Sequence, residues 1–435
     1  MRDYFAEYND KLTTPENAVA GLKDGDTVIP GMASAEPIAL LAAIADRARR
    51  GELKKLKVYF LRALDNAAKT ILAPDLCDCI QTYSWFAGSA DRSLISVGLD
   101  YYVPNHFHQV PRFVQDFMEV DCTVTGVSPM DKSGYFSFGA ANDYTSTAAR
   151  CSKKLIVEVN RKMPRVFGGS LLHISEVDAI VEHDADLAEV IPPEPTPEDD
   201  RIGRYIADMI PDGATIQLGI GGVPNAVARC LAGHRDLGVH SEVLGPGIVD
   251  LIEKGVITGR KKVLHPFKCV FTAAHGTRRM YEFMDDNSSM ESYPVSYVND
   301  PGVIARNNDM ISINAVLEVD LLGQCNAEYL DGSQFSGTGG QLDFVRGAYN
   351  ARGGKSILAF HSTAAKGKIS RVVARFHEGT IITTPRIDTH YLVTEYGGVN
   401  LKGKSTRERA LDIISIAHPS FRDQLLRQAE DMYLL

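Results

Sequence analysis

Two kinds of apolar run alternate along this chain. Residues 57–60, 155–159 and 311–316 are short and rich in Val, Ile, Leu and Phe, and they predict strands. Residues 37–50, 225–231 and 248–254 carry their apolar positions among charged and small residues and predict helices. Strands that alternate with helices argue for mostly parallel sheets covered by helices. In such sheets, ligands sit beyond the carboxyl ends of the strands.

The pattern occurs twice. Asp24-Gly25-Asp26-Thr27-Val28 returns 188 positions later as Asp212-Gly213-Ala214-Thr215-Ile216. Each copy continues into a strand-like run, a glycine (Gly31 or Gly219) and a proline-started helix. Asp121-Cys122-Thr123-Val124, with Asp131 and Gly134, matches Asp309-Met310-Ile311-Ser312, with Asp320 and Gly323, at the same offset of 188. Val177-Asp178-Ala179-Ile180-Val181-Glu182 is echoed by residues 388–395 at a larger offset, which implies an insertion. The fold class expected is α/β, with two duplicated α/β domains over residues 1–190 and 200–435. Between them, residues 191–200 are too rich in proline and charge to continue a helix or a central strand.

Length agrees with two domains, since 435 residues exceed the ~250 to 300 at which one core stops growing. A net charge of −9 disfavours nucleic acid and anionic membranes as partners. Met1-Arg2-Asp3-Tyr4-Phe5 opens no apolar signal core, and no apolar run reaches the ~18 residues of a membrane span, so a cytoplasmic location is expected. Seven cysteines, of which only Cys77 and Cys79 lie close together, suggest reduced thiols rather than a disulfide framework or zinc ribbon. His106 and His108 would share one face of a strand, but no nearby carboxylate or cysteine completes a site, and no metal is expected.

Candidate chemistry concentrates in the second copy. Glu242 lies in Gly238-Val239-His240-Ser241-Glu242-Val243-Leu244-Gly245-Pro246-Gly247, a short strand that delivers a carboxylate to a loop. Gly219, 23 positions earlier, opens the turn Gly219-Ile220-Gly221-Gly222-Val223-Pro224, whose backbone N–H groups are free to face a ligand. A nucleophile and an anion hole can be built from these two segments. A glycine-rich turn with an acidic residue about twenty positions on also describes a dinucleotide site, although Pro224 stands where that motif wants a third glycine. The first copy has Gly31-Met32-Ala33-Ser34 instead, whose side chains would keep an anion from the backbone.

Gln217-Leu218-Gly219-Ile220-Gly221, His240-Ser241-Glu242, the run from Ser336 to Ala348, Thr394-Glu395-Tyr396-Gly397, Glu408-Arg409-Ala410 and Ile416-Ala417-His418-Pro419 together closely resemble the acetyl-CoA hydrolase/transferase family, nearest its 4-hydroxybutyrate and butyrate CoA-transferase branch. The resemblance covers essentially the whole chain. It implies a CoA-transferase-like fold and a ping-pong transfer of coenzyme A between an acyl-CoA and a small carboxylic acid. Glu242 corresponds to the family's catalytic glutamate, which carries the coenzyme as a glutamyl-CoA thioester. The turn of Gly219, Ile220, Gly221, Gly222 and Val223, together with Leu317 and Gly340, corresponds to the residues placed against CoA. Gly340 suits that role because a Gly-x-Gly-Gly turn before a strand lets backbone approach pantetheine closely. Gln217 points by strand position toward the same pocket, beside the acyl or glutamyl carboxyl group. A homodimer or homotetramer is implied.

One departure bears on the substrate. Members that use hydroxybutyrate carry a histidine just ahead of Ala-Glu-Pro, where this chain has Gly31-Met32-Ala33-Ser34 before Ala35-Glu36-Pro37. Ser128-Pro129-Met130-Asp131 and residues 361–368 are similar to succinyl-CoA:itaconate transferases. Dicarboxylate transfer, acyl-CoA hydrolysis and a CoA-binding regulator without catalysis therefore stand as alternatives. Lys366, Lys368 and Arg371 form a basic cluster that suits either CoA phosphates or solvent. Glu395 reads as structural, His240 as a hydrogen-bonded structural histidine, and the aromatic residues from Tyr135 to Tyr144 as core.

Overall fold

The computed structural model describes residues 3–191 and 193–435. Met1 and Arg2 of the N-terminal segment and Pro192 of the proline-rich segment lie outside them. The chain divides into two compact units, Met1–Val190 with Val270–Val298 and Gln334–Gly337, and Ile191–Cys269 with Asn299–Ser333 and Thr338–Leu435.

The first unit holds a seven-stranded sheet of β1 (Thr27–Pro30), β2 (Leu56–Phe60), β3 (Ile80–Ser84), β4 (Asp100–Tyr102), β5 (Cys122–Val127), β6 (Leu155–Val159) and β7 (Ala179–Glu182). Its order is β7-β6-β5-β1-β2-β3-β4, and every pairing is parallel. All residues of β1, β5 and β6 are buried, as expected of parallel strands covered on both faces. Nearer the edge, β2 and β3 alternate between buried and accessible positions. Helix α1 (Ile38–Arg49) packs Leu40, Leu41, Ile44 and Ala45 into this unit's core. Phe136, Phe138 and Tyr144 are fully buried, as expected of a core run, but Tyr135 at its start is 40% exposed and lies outside the core.

In the second unit, β8 (Thr215–Leu218), β9 (Gly238–Leu244), β10 (Met310–Ala315), β11 (Lys355–Ala359), β12 (Tyr391–Thr394) and β13 (Gly397–Asn400) follow the order β13-β12-β11-β10-β8-β9. All of these pairings are parallel except the hairpin of β12 with β13. The run β12-β11-β10-β8-β9 repeats the order β7-β6-β5-β1-β2 of the first unit. The sequence repeat is therefore a repeat of topology, and the α/β class with mostly parallel sheets holds.

Helix α2 (Pro197–Ala207) corrects one expectation, because it begins inside the segment expected to be free of helix. Thr196 and Asp199 form a capping box, and Pro197 sits in the first turn, where its missing N–H costs nothing. Helix α3 (Gly222–Cys230) begins earlier than the sequence suggested and places Pro224 third rather than first, still within the turn that needs no N–H donor. Helices α4 (Pro246–Glu253) and α5 (Gln341–Asn350) complete the elements around Glu242.

Candidate active site

Strands β8 and β9 are parallel neighbours, with Thr215 opposite Gly238 and Ile216 opposite Val239, so their carboxyl ends lie side by side. Along β9, Gly238 to Ser241 are buried and Glu242 is half-buried, which puts the carboxylate where the strand emerges from the core. The turn after β8 reaches the same place: a Cβ on Gly245, just past β9, would stand 3.2 Å from Cγ2 of Ile220.

The Glu242 side chain is closely held. Asn299, itself fully buried, donates from Nδ2 to Glu242 Oε2 at 2.5 Å. Gly340 lies against the same oxygen, and a Cβ there would fall 1.9 Å from Glu242 Oε2 and 2.2 Å from Asn299 Nδ2. Any side chain there would displace the ends of Glu242 and Asn299. Gly340 is thus a wall of the Glu242 niche. It precedes helix α5, not the strand expected from sequence, and serves as its N-cap. The turn before it is fixed by Thr338, whose hydroxyl donates to Glu328 at 3.1 Å, and by Gln341, whose amide donates to Thr384 at 3.0 Å. One turn further along α5, Phe344 packs against the ring of buried His240 at 6.4 Å between centroids.

In the glycine turn, Gly221 has φ of +131°, a conformation that L side chains rarely adopt. Gly219 meets nothing nearer than Pro224 Cγ at 3.8 Å, an ordinary contact that does not crowd its Cα. The N-cap of α3 is Gly221, which has no side chain to take an N–H, and the N–H groups of its first turn have no partner within the helix. The matching place in the first unit is filled. A Cβ on Gly31 would lie 2.4 Å from Thr125 Oγ1, Met32, Ala33 and Ser34 are buried, and Glu158 Oε2 accepts from the N–H groups of Ala39 and Leu40 at the start of α1, at 2.9 and 3.0 Å. Burial raises the pKa of the Glu158 carboxyl, and the Leu40 N–H and His183 oppose that rise.

The remaining candidates fall as follows. Gln217 is buried and exchanges hydrogen bonds with β10, donating to Ile313 O and Asn314 Oδ1 at 3.3 Å and accepting from Ile313 N at 3.1 Å. Leu317 is half-buried at the bend after β10, its N–H donating to Asn326 O at 2.8 Å. Glu395 is buried and clamps Ser362, taking its N–H at 2.9 Å and its hydroxyl at 2.5 Å. Lys366 and Lys368 are exposed on a hairpin turn, whereas Arg371 is half-buried with its charge facing Glu318 and Glu395. His106 and His108 flank the start of a short 3-10 turn instead of a strand. Among the described residues, no group of three or more His, Cys, Asp or Glu is arranged to hold a metal ion, and no helix is long and apolar enough to cross a membrane. Sequence reasoning missed Asn299, which no spacing or motif marked. The only available signal was its place just before Asp300, a helix cap.

Family profiles match both parts of the chain: the acetyl-CoA hydrolase/transferase N-terminal domain over residues 1–192 and the C-terminal domain over residues 276–429. The chain belongs to the acetyl-CoA hydrolase/transferase family. Within the family it is 42% identical to a succinyl-CoA:cyclohexane-1-carboxylate CoA transferase of Geobacter metallireducens, over 99% of this chain and 98% of that one. Among solved structures, RipA from Yersinia pestis superposes with a TM-score of 0.97 at 49% identity, covering all of both chains. A 4-hydroxybutyrate CoA-transferase from Porphyromonas gingivalis superposes at 0.85 with 38% identity, over 99% of this chain and 100% of that one. The family resemblance read from motifs and the duplicated α/β fold agree with these matches.

Proposed function

We propose that this chain transfers coenzyme A between an acyl-CoA and a small carboxylic acid by a ping-pong route through Glu242. CoA transfer in general is the activity named for relatives that match along the whole chain. The observation that carries the finer reading is the niche of Glu242: a carboxylate at a strand end, held by a buried amide, walled by Gly340, and beside a helix that starts at a glycine.

A carboxylate oxygen of Glu242 attacks the thioester carbonyl, and the C–S bond breaks to give a mixed anhydride and CoA thiolate. The thiolate then attacks the glutamyl carbonyl. A glutamyl-CoA thioester forms as the first acid leaves as its carboxylate. A second carboxylate enters and the same two steps run backward. Glutamate needs no general base, since its ordinary pKa of about 4.3 leaves it ionised at neutral pH. It is a weak nucleophile, so binding energy from the remote parts of CoA must act on the reacting carbonyl. Each tetrahedral intermediate places negative charge on oxygen, and the N–H groups of the Gly219–Val223 turn are the donors assigned to it. Loss of one such donor costs ~3 to 4 kcal/mol of barrier. Gly340 and Leu317 are assigned to the CoA contact, and Gln217, which also bonds β10, to a place beside the acyl or glutamyl carboxyl group.

Incubation with acyl-CoA followed by borohydride and mass spectrometry should find the coenzyme adduct, and its reduced product, on Glu242. Exchange of CoA between acids by a Glu242→Ala variant would remove this reading. A panel of short mono- and dicarboxylates against acetyl-CoA and succinyl-CoA, run with and without acceptor, identifies the acid pair. The same panel separates butyrate-type from itaconate-type transfer, and both from hydrolysis. We assign the duplicated domains to residues 1–190 and 200–435, and a homodimer or homotetramer in the cytoplasm as the working form.

A further inference from the structure

The three glycines of the turn are not equivalent. Over Gly219 and Gly221 the nearest atoms to an added Cβ are 3.8 and 4.0 Å away, but at Gly222 a Cβ would stand 2.9 Å from Asp199 Oδ2 and 3.2 Å from both Cγ and Oδ1. A carboxylate therefore lies flat against the Cα of the first residue of α3. Gly222 lacks a side chain to admit Asp199, not to admit a ligand.

Asp199 is 5% exposed and fully engaged. Its Oδ2 takes the N–H and hydroxyl of Thr196 at 2.9 and 2.8 Å, and its Oδ1 pairs with His361 Nε2 at 2.8 Å. Burial would raise this carboxyl, yet the Thr196 and His361 contacts hold it below the ordinary aspartate range. His361 is fixed in turn. It follows the end of β11, and the next residue, Ser362, is clamped through backbone and hydroxyl by buried Glu395. A chain of short contacts thus runs from Glu395 through Ser362 and His361 to Asp199 and ends on the Cα of Gly222.

We propose that Asp199 and His361 are positioning residues of the reaction, the hydrogen-bonded pair setting where the N–H groups of Gly222 and Val223 stand for the developing oxyanion. This inference rests on the catalytic reading of Glu242 and the glycine turn. Oxyanion donors act through geometry that the ground state does not sample, so an error in their placement lowers the chemical step while leaving affinity for the coenzyme nearly intact.

The test uses the full-length protein with Asp199→Ala, His361→Gln, Gly222→Ala, the double variant Asp199→Ala/Gly222→Ala, and Glu242→Ala alongside. CoA exchange, KM for acyl-CoA, the single-turnover rate of adduct formation and thermal melting are measured on each. The expected result is a loss of about ten-fold to a hundred-fold in kcat and adduct formation for each single variant, with KM within about two-fold. In the double variant the clash at Gly222 is gone, so its loss should not exceed that of the worse single variant. His361→Gln, on a partly exposed side chain, carries the test if Asp199→Ala does not fold. The proposal is overturned if kcat stays within about two-fold of the parent in Asp199→Ala and His361→Gln, or if the losses track melting temperature and multiply in the double variant. Activity that survives in Glu242→Ala would instead sink the catalytic reading, while exchange rates in the other variants still decide on the pair.

Discussion

A 2.5 Å contact between an amide and a carboxylate defines the site at the residue scale. Asn299 is buried, its Oδ1 has no hydrogen-bond partner among the described residues, and its N–H aims one oxygen of Glu242. Removing it takes away this donor and loosens the hold on the carboxylate. Asn299→Ala should lower kcat by about ten-fold to a hundred-fold with little change in melting temperature, as read by steady-state kinetics and circular dichroism. Gly340→Ala tests the opposite fault, crowding rather than release. With a Cβ 1.9 Å from Oε2, the carboxylate must move, and adduct formation on Glu242 should fall by about a hundred-fold or more. Glu242 was legible from its strand and spacing. Asn299 was not, because the residue that orients a nucleophile is chosen by proximity in space, and 57 positions separate the two along the chain.

At the scale of elements, duplication produced two helices that start at equivalent strand ends with opposite fates. The start of α1 is occupied by the chain's own carboxylate, Glu158, which takes two N–H groups, whereas α3 starts at Gly221, which has no side chain of its own to cap it. An internal anion at a helix start is stabilising and also excludes an external one. Glu158→Ala should therefore destabilise the protein by about 2 kcal/mol in denaturant titration, from loss of a charged acceptor of two bonds, while specific activity per folded molecule is unchanged. A matching fall in kcat/KM would show that the first copy takes part in the chemistry. The sequence did show that the copies differ at Gly31 to Ser34. It did not show the plug, because Glu158 lies on β6, remote in sequence from α1 and adjacent only after the sheet forms.

For the whole molecule, stability carries a pH signature from buried carboxyls. Asp143 is fully buried with Oδ2 unpartnered among the described residues, and burial pushes its pKa from 3.8 up to about 6, against hydrogen bonds from Thr145. A raised folded value means that the folded state holds the proton more tightly. This stabilising contribution is complete below pH 3.8 and is lost as pH rises through about 6. Asp143→Asn removes the dependence, so its stability relative to the parent should rise between pH 4 and 7, by up to about 3 kcal/mol in urea titrations. A difference that stays flat across this range would contradict the assignment. Strand and helix alternation, the 188-residue repeat, the parallel α/β class and the Glu242 and Gly219 segments all follow from the sequence, because periodicity and glycine placement are local properties of the chain. The partners of those segments were decided only by the tertiary structure: Asn299 and Gly340 around the carboxylate, Asp199 and His361 behind the turn, and Glu158 in the first copy. Sheet order brings strand ends from distant parts of the chain together, and contact at a few ångströms carries no signature in spacing along the sequence.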